Sequence, residues 1–340
     1  MSALVDVRAA SKVFRQPATL VERIGSAFGV CELPRPVHAV DDVSLEIRNG
    51  EVLGLVGESG CGKSTLGRMI AGILPPSAGS ALFDGMPLLA GAGRPVKSTT
   101  RVQMIFQDPF ASLDPRMRVG DIIAEGPVAH GLVSKSASAA DVSRWLSTVG
   151  LDPQVADRYP HQFSGGQRQR IAIARALAMR PDMLVCDEPV ASLDVSIQAQ
   201  IVNLFLKLRR DLGLTMLFIS HDLGVVRHVS DRIAIMYLGR IVEIGTARSV
   251  FERPRHPYTR ALLDSVPRLR IDDRVEVDFR PIRGELPSPL DPPAGCHFHM
   301  RCPHANEACA VQRPTLLHVE GREVACLRAT ELDLSGEAPP

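Results

Sequence analysis

Eight consecutive residues, Gly57-Glu58-Ser59-Gly60-Cys61-Gly62-Lys63-Ser64, stand between an apolar segment and a run of helix formers. Residues 51–56 read EVLGLV, a strand; in residues 64–74, Leu66, Met69, Ile70 and Leu74 mark one helical face before Pro75-Pro76 stop it. Strand, glycine loop and helix is the context in which such a pattern cradles phosphate. Glycines let successive backbone N–H groups curl around phosphate oxygens, and the helix N-terminus adds positive potential. Lys63 then reaches the terminal phosphates, and Ser64 can ligate Mg²⁺.

Such a loop needs a carboxylate site at a neighbouring strand end, and residues 183–188, MLVCDE, supply one. Asp187 would hold Mg²⁺ through water and Glu188 would polarise the attacking water. Alone, two adjacent acids would read as a solvated turn; the phosphate loop changes that reading. Ser164 looks like the cap of a helix whose first two positions are Gly165 and Gly166. Glycine weakens a helix, so its use there suggests close approach of an anion to the helix N-terminus, a second phosphate site; a plain N-cap is the simpler alternative. Val43, Leu45 and Ile47 alternate into the Asn49-Gly50 turn, and short apolar runs recur at 102–106, 183–186, 215–219 and 232–237. Between them lie helical patterns, clearest at Ile197, Ile201, Leu204, Phe205, Leu208 and Leu212. Strands alternating with amphipathic helices predict an α/β domain around a mainly parallel sheet.

In this order the motifs resemble the ATP-binding-cassette (ABC) family over roughly residues 4–250. The resemblance implies an α/β P-loop NTPase with a RecA-like core, an antiparallel β subdomain and a helical subdomain at about 108–180, all within an ATPase domain of residues 1–258. It implies ATP contacts at Gly57, Ser59, Gly60, Cys61, Gly62, Lys63, Ser64 and Thr65, with Mg²⁺ among Ser64, Gln107 and Asp187. Gln107, in Phe106-Gln107-Asp108-Pro109, matches the family's glutamine loop, and His221, in Ile219-Ser220-His221-Asp222, its switch histidine; Glu188, His221 and Lys63 form the implied catalytic set. Phe14 lies where the family stacks an aromatic ring on adenine, although a core phenylalanine is an alternative. Ser164, Gly165, Gly166 and Gln167 match the signature that touches ATP held by a partner chain. Ala191-Ser192-Leu193-Asp194 matches the loop that crosses the dimer interface at Asp194, its first two residues reversed from the commonest order. The resemblance then implies two ATPs sandwiched in a head-to-tail dimer.

Residues 55–68 and the motif His256-Pro257-Tyr258-Thr259-Arg260-Ala261-Leu262-Leu263 are similar to the dipeptide and oligopeptide importer branch, second ATPase type. Nickel and glutathione importers share both stretches. The implied function is ATP hydrolysis that powers peptide import, with a second ABC ATPase subunit, two transmembrane permeases and, indirectly, a solute-binding protein as partners. Residues 110–119 would lie near the permease. A soluble ABC ATPase acting on nucleic acid is the rival from another class, but a net charge of +1 gives no support to a nucleic-acid surface. An ATP sensor without turnover is a third reading, against which Glu188 and His221 argue. No apolar run approaches a membrane span and the first residues lack the order of a signal peptide, so a peripheral place on the cytoplasmic membrane face is expected.

Beyond residue 258 prolines punctuate a stretch without periodicity, and Cys296, Cys302, Cys309 and Cys326 crowd the end. This predicts a small, irregular C-terminal domain over 259–340. In a reducing compartment such a group suggests metal before disulfides, and the spacing is not the paired CxxC of a zinc ribbon. Four thiolates on loops suit a [4Fe–4S] cluster; zinc, with His297, His299 or His304 as substitutes, and free thiols are the alternatives. The run Cys296-His297-Phe298-His299-Met300-Arg301-Cys302-Pro303 resembles tails of importer ATPases that include cluster-binding members.

Overall fold

The short apolar runs become the centre of an eight-stranded sheet. In the computed structural model, which describes residues 3–15, 35–91, 95–266, 268–271, 275–278 and 281–334, the chain opens with β1 (Ala3–Phe14), β2 (Val37–Arg48), β3 (Val52–Val56), α1 (Lys63–Ile70) and β4 (Ala78–Phe83). There follow β5 (Val102–Ile105), α2 (Val119–Ala129), α3 (Ser138–Thr148), α4 (Gly165–Ala178), β6 (Met183–Asp187), α5 (Val195–Leu212) and β7 (Thr215–Ile219). The last are β8 (Arg232–Tyr237), β9 (Arg240–Thr246), α6 (Pro257–Asp264), β10 (Leu317–Val319) and β11 (Arg322–Val324). Cys31 lies outside the described residues.

The large sheet runs β10-β11-β9-β8-β3-β7-β6-β5. Its members from β8 to β5 pair in parallel, while β9, β11 and β10 add an antiparallel edge. β3, β6 and β7 are buried at every residue, which is why they read as unbroken apolar runs rather than alternations. A single step along such a strand turns the side chain to the other face. Val52, Val56, Leu184, Cys186, Met216 and Phe218 therefore face one core, with Ile122 of α2, Trp145 of α3, Ile171 of α4 and Phe205 of α5. Leu53, Leu55, Val185, Leu217 and Ile219 face the other, with Leu66 and Met69 of α1 and Val5, Val43 and Ile47 of a smaller antiparallel sheet. That sheet orders β2-β1-β4, then residues 86–87.

Two elements differ from expectation. α1 ends at Ile70 rather than continuing to residue 74, because Gly72 turns left-handed at φ 67°. β1 was not legible as a strand: its pairing with β2 shifts register repeatedly and Ala9 takes φ 45°, so Leu4, Val5, Val7 and Ala10 are buried without a period of two.

The C-terminal residues share the main sheet and one of its cores. β11 pairs with β9, placing Glu243 opposite Val324 and Ile244 opposite Glu323. Phe298, 1% exposed, packs 5.3 Å from the rings of both Tyr237 and Tyr258. His256 caps α6, its Nδ1 accepting from the Tyr258 N–H at 3.0 Å.

Candidate active site

β3 delivers the chain into the glycine loop at the carboxyl end of the parallel strands, where open α/β sheets bind ligands. Gly62 is the N-cap of α1 at φ 107°, and a Cβ there would run into the Ala39 carbonyl oxygen, so glycine is required twice over. Lys63 is buried, and its Nζ donates to the carbonyl oxygens of Gly57 at 2.8 Å and Glu58 at 3.0 Å, which fixes the ammonium inside the loop's curve. Cys61 turns its side chain into the apolar core beneath, where burial pushes the thiol pKa up; what it can offer a ligand is its backbone.

The acidic strand end stands beside this loop. Ser64 Oγ donates to Asp187 Oδ1 at 2.8 Å, and Asp187 is 2% exposed. Burial raises the Asp187 carboxyl pKa, and the Ser64 hydroxyl opposes that shift. Glu188, the next residue, takes φ 45°, a left-handed conformation that costs a non-glycine residue about 1 kcal/mol or more. Its N–H donates to the Ile219 carbonyl at 3.0 Å, so β7 holds the turn that aims its side chain. One carboxylate oxygen, Glu188 Oε2, then accepts from Gln107 Nε2 at 3.0 Å and lies 3.3 Å from His221 Nδ1. Residues from the ends of β5, β6 and β7 thus meet at a single atom. They line a cavity of about 430 Å³ together with Lys63, Ser64 and Thr65. The arrangement can bind polyphosphate, hold a divalent ion between Ser64 and Asp187, and orient a water at Glu188.

Other predicted residues lie elsewhere. Phe14 ends β1 at 41% exposed, which removes the core alternative; it does not line the cavity. Ser164 caps α4 in a capping box: its Oγ accepts from the Gln167 N–H at 3.4 Å and the Gln167 Oε1 accepts from the Ser164 N–H at 3.0 Å. Gly166 has a reason inside the chain as well, since a Cβ there would stand 2.5 Å from Ile197 Cγ2. Asp194 is the N-cap of α5 and makes no side-chain cap bond. None of Ser164, Gly165, Gly166, Gln167 or Asp194 lines the Lys63 cavity.

Val37, Ala39, Pro289 and Tyr258 were not read from the sequence as parts of this site. Pro289 lines the same cavity and accepts from the His38 N–H at 3.0 Å, and the Tyr258 hydroxyl accepts from the Glu58 N–H at 3.0 Å. Tyr258 was visible within the HPYTRALL motif, but its contact with the loop had no signal of its own.

Among the described residues no three His, Cys, Asp or Glu side chains stand in metal-binding geometry, so a preformed metal site is not what the tail presents. The Cys296, Cys302 and Cys326 thiols are partly buried, and that burial raises the pKa of each, Cys302 to about 11. His297 is occupied elsewhere, its Nδ1 lying 3.1 Å from the Leu238 carbonyl, and its pKa falls to about 4, chiefly through burial.

Comparison with known proteins agrees with this geometry. The profile of the ABC transporter family matches residues 40–191, and that of the oligopeptide/dipeptide transporter C-terminal region matches residues 242–309. The chain is 51% identical over 298 residues to the putative oligopeptide transport ATP-binding protein YkfD of Bacillus subtilis, covering 86% of this chain and 90% of that one. It is 49% identical over 304 residues to the oligopeptide transport ATP-binding protein OppF of Escherichia coli, covering 88% and 90%. Among solved structures, cbiO1 of Clostridium perfringens, part of the ABC transporter complex cbiONQ, superposes with a TM-score of 0.58 at 27% identity, covering 74% of this chain and 91% of that one. The chain belongs to the ABC transporter ATP-binding proteins, in the group with the oligopeptide/dipeptide transporter C-terminal region, and is an ATPase of that family.

Proposed function

We propose that this chain is the ATP-hydrolysing subunit of a peptide importer. The observation that carries the proposal is the convergence of Gln107 and His221 on Glu188 beside the Ser64–Asp187 pair, in a chain about half identical to oligopeptide transport ATP-binding proteins. Residues 1–258 act as the ATPase domain, with the helical part at about 108–180 facing the permease, and residues 259–340 as a docked extension. Gly57, Ser59, Gly60, Cys61 through its backbone, Gly62, Lys63, Ser64 and Thr65 hold the phosphates; Phe14 stacks on adenine. Ser64, Gln107 and Asp187 surround Mg²⁺, Glu188 orients the attacking water, and His221 and Lys63 stabilise the transferred phosphoryl group.

The second half of each site is the signature of a partner cassette, just as Ser164, Gly165, Gly166 and Gln167 of this chain complete the partner's site and Asp194 crosses the interface. Hydrolysis then requires closure of the pair, and closure drives the permeases. No described helix is long and apolar enough to cross a membrane, which suits a subunit bound peripherally to two permeases at the cytoplasmic face, with a solute-binding protein outside. Cys296, Cys302, Cys309 and Cys326 are the donors for a [4Fe–4S] cluster whose role is to close the loops of a tail with little core of its own.

The test is purification of the tagged chain from gently solubilised native membranes under anaerobic conditions, with co-purifying proteins identified and iron and acid-labile sulfide assayed. Two polytopic permeases and a second cassette are expected, with both elements present. Recovery of soluble proteins alone would replace the importer with a soluble ABC ATPase, and absence of iron and sulfide would remove the cluster.

A further inference from the structure

Glu58 is a carboxylate inside a loop built to receive polyphosphate. It follows Gly57, whose carbonyl binds Lys63, and precedes Ser59, which lines the cavity. Left to itself, an anion at this position would repel the incoming phosphates at short range.

The tail answers that charge. Arg301, one residue before Cys302, donates from Nη1 to Glu58 Oε2 at 2.7 Å and from Nη2 to Glu58 Oε1 at 3.0 Å, a fork-on-fork pair. The Arg301 side chain is 4% exposed, while that of Glu58 is 26% exposed. The guanidinium is itself fixed: Nε donates to the Arg283 carbonyl at 3.1 Å, and Nη1 also reaches the Tyr237 hydroxyl at 3.4 Å. Beside it Phe298 anchors the same short segment among Tyr237 and Tyr258. Two parts of the chain 243 residues apart therefore meet in an oriented contact between Arg301 and the phosphate loop's own carboxylate.

We propose that Arg301 is a positioning residue for ATP, neutralising Glu58 and holding its carboxylate off the phosphate cradle, so that the C-terminal extension sets nucleotide affinity in its own chain. The inference rests on the reading of residues 57–64 as the ATP cradle. It also gives the cysteine segment a route to the nucleotide, because Cys296 and Cys302 bracket Arg301 and whatever fixes them fixes the guanidinium.

The experiment measures the MgATP dissociation constant of the full chain with a fluorescent ATP analogue, at low and high salt, for wild type, R301Q, E58Q and E58Q/R301Q. R301Q is expected to weaken binding about tenfold, the scale of a typical coupling between sites. The loss should shrink at high salt and be recovered in E58Q/R301Q, because the unpaired carboxylate is then gone. E58Q alone should bind as tightly as wild type or more tightly, and this variant, at the more exposed partner, decides the matter if R301Q does not fold. R301Q binding like wild type, E58Q/R301Q binding as weakly as R301Q, or E58Q binding more weakly than wild type would each overturn the proposal. A wild-type chain without measurable ATP binding would instead remove the reading of the loop on which it rests.

Discussion

Ser64 Oγ and Asp187 Oδ1 lie 2.8 Å apart, joining the first turn of the helix after the phosphate loop to the end of the acidic strand. The bond sets two oxygens side by side and ties a buried carboxylate with a raised pKa to Ser64, which lines the cavity. A divalent ion at this site would take the Ser64 hydroxyl as a ligand and the Asp187 carboxylate through water, the two groups being already held together.

Ser64→Ala removes both the hydroxyl ligand and the bond that orients Asp187. Mg²⁺ dependence of hydrolysis should shift to higher metal concentration by at least about tenfold, the scale for losing a group that ligates or orients a ligand. Titrating ATPase activity with Mg²⁺ checks this; an unchanged midpoint would remove Ser64 from the metal site.

Glu188→Gln keeps an acceptor for Gln107 but loses the charge that polarises water. Hydrolysis should fall by about 100-fold or more while MgATP still binds, as expected for removal of a general base. Equilibrium binding and steady-state turnover on the same preparation separate the two effects. Retained turnover would take Glu188 out of the chemistry.

Gly166→Ala should destabilise the chain by about 1–3 kcal/mol, because the added methyl stands 2.5 Å from Ile197 Cγ2 in a packed helix contact. The midpoint of urea unfolding reads this directly. An unchanged midpoint would mean that the contact between α4 and α5 yields without cost.

His256 is buried and neutral, its pKa driven from 6.5 down to about 3 chiefly by desolvation. Because the folded value is depressed, the unfolded state takes up the proton first, and stability is complete above about 6.5 and falls progressively in acid toward 3. Lowering the pH from about 6.5 to 5 should cost about 2 kcal/mol from this group alone. His256→Asn, which keeps an acceptor for the Tyr258 N–H, should flatten that limb of the stability curve; an identical acid slope in both proteins would contradict the assignment.

What could be read in advance divides along a physical line. β3, β6 and β7 were legible because strands covered on both faces must be apolar throughout, and the phosphate loop because glycine, lysine and serine have fixed duties there. Glu188 was legible as an acid at a strand end, whereas its left-handed backbone and its shared oxygen with Gln107 and His221 are products of three strands brought into register. The bulged β1 hid its strand by breaking alternation at Ala9. Pro289, Tyr258 and Arg301 reach the loop from far along the chain, and a long-range contact leaves no periodic mark in a single sequence.

Whether ATP turnover at Glu188 drives peptide entry is tested most directly by uptake of a labelled oligopeptide in intact cells carrying Glu188→Gln in place of the wild-type chain. Uptake should be lost while the variant chain still co-purifies with its permeases. Undiminished oligopeptide uptake in the variant cells would contradict that coupling.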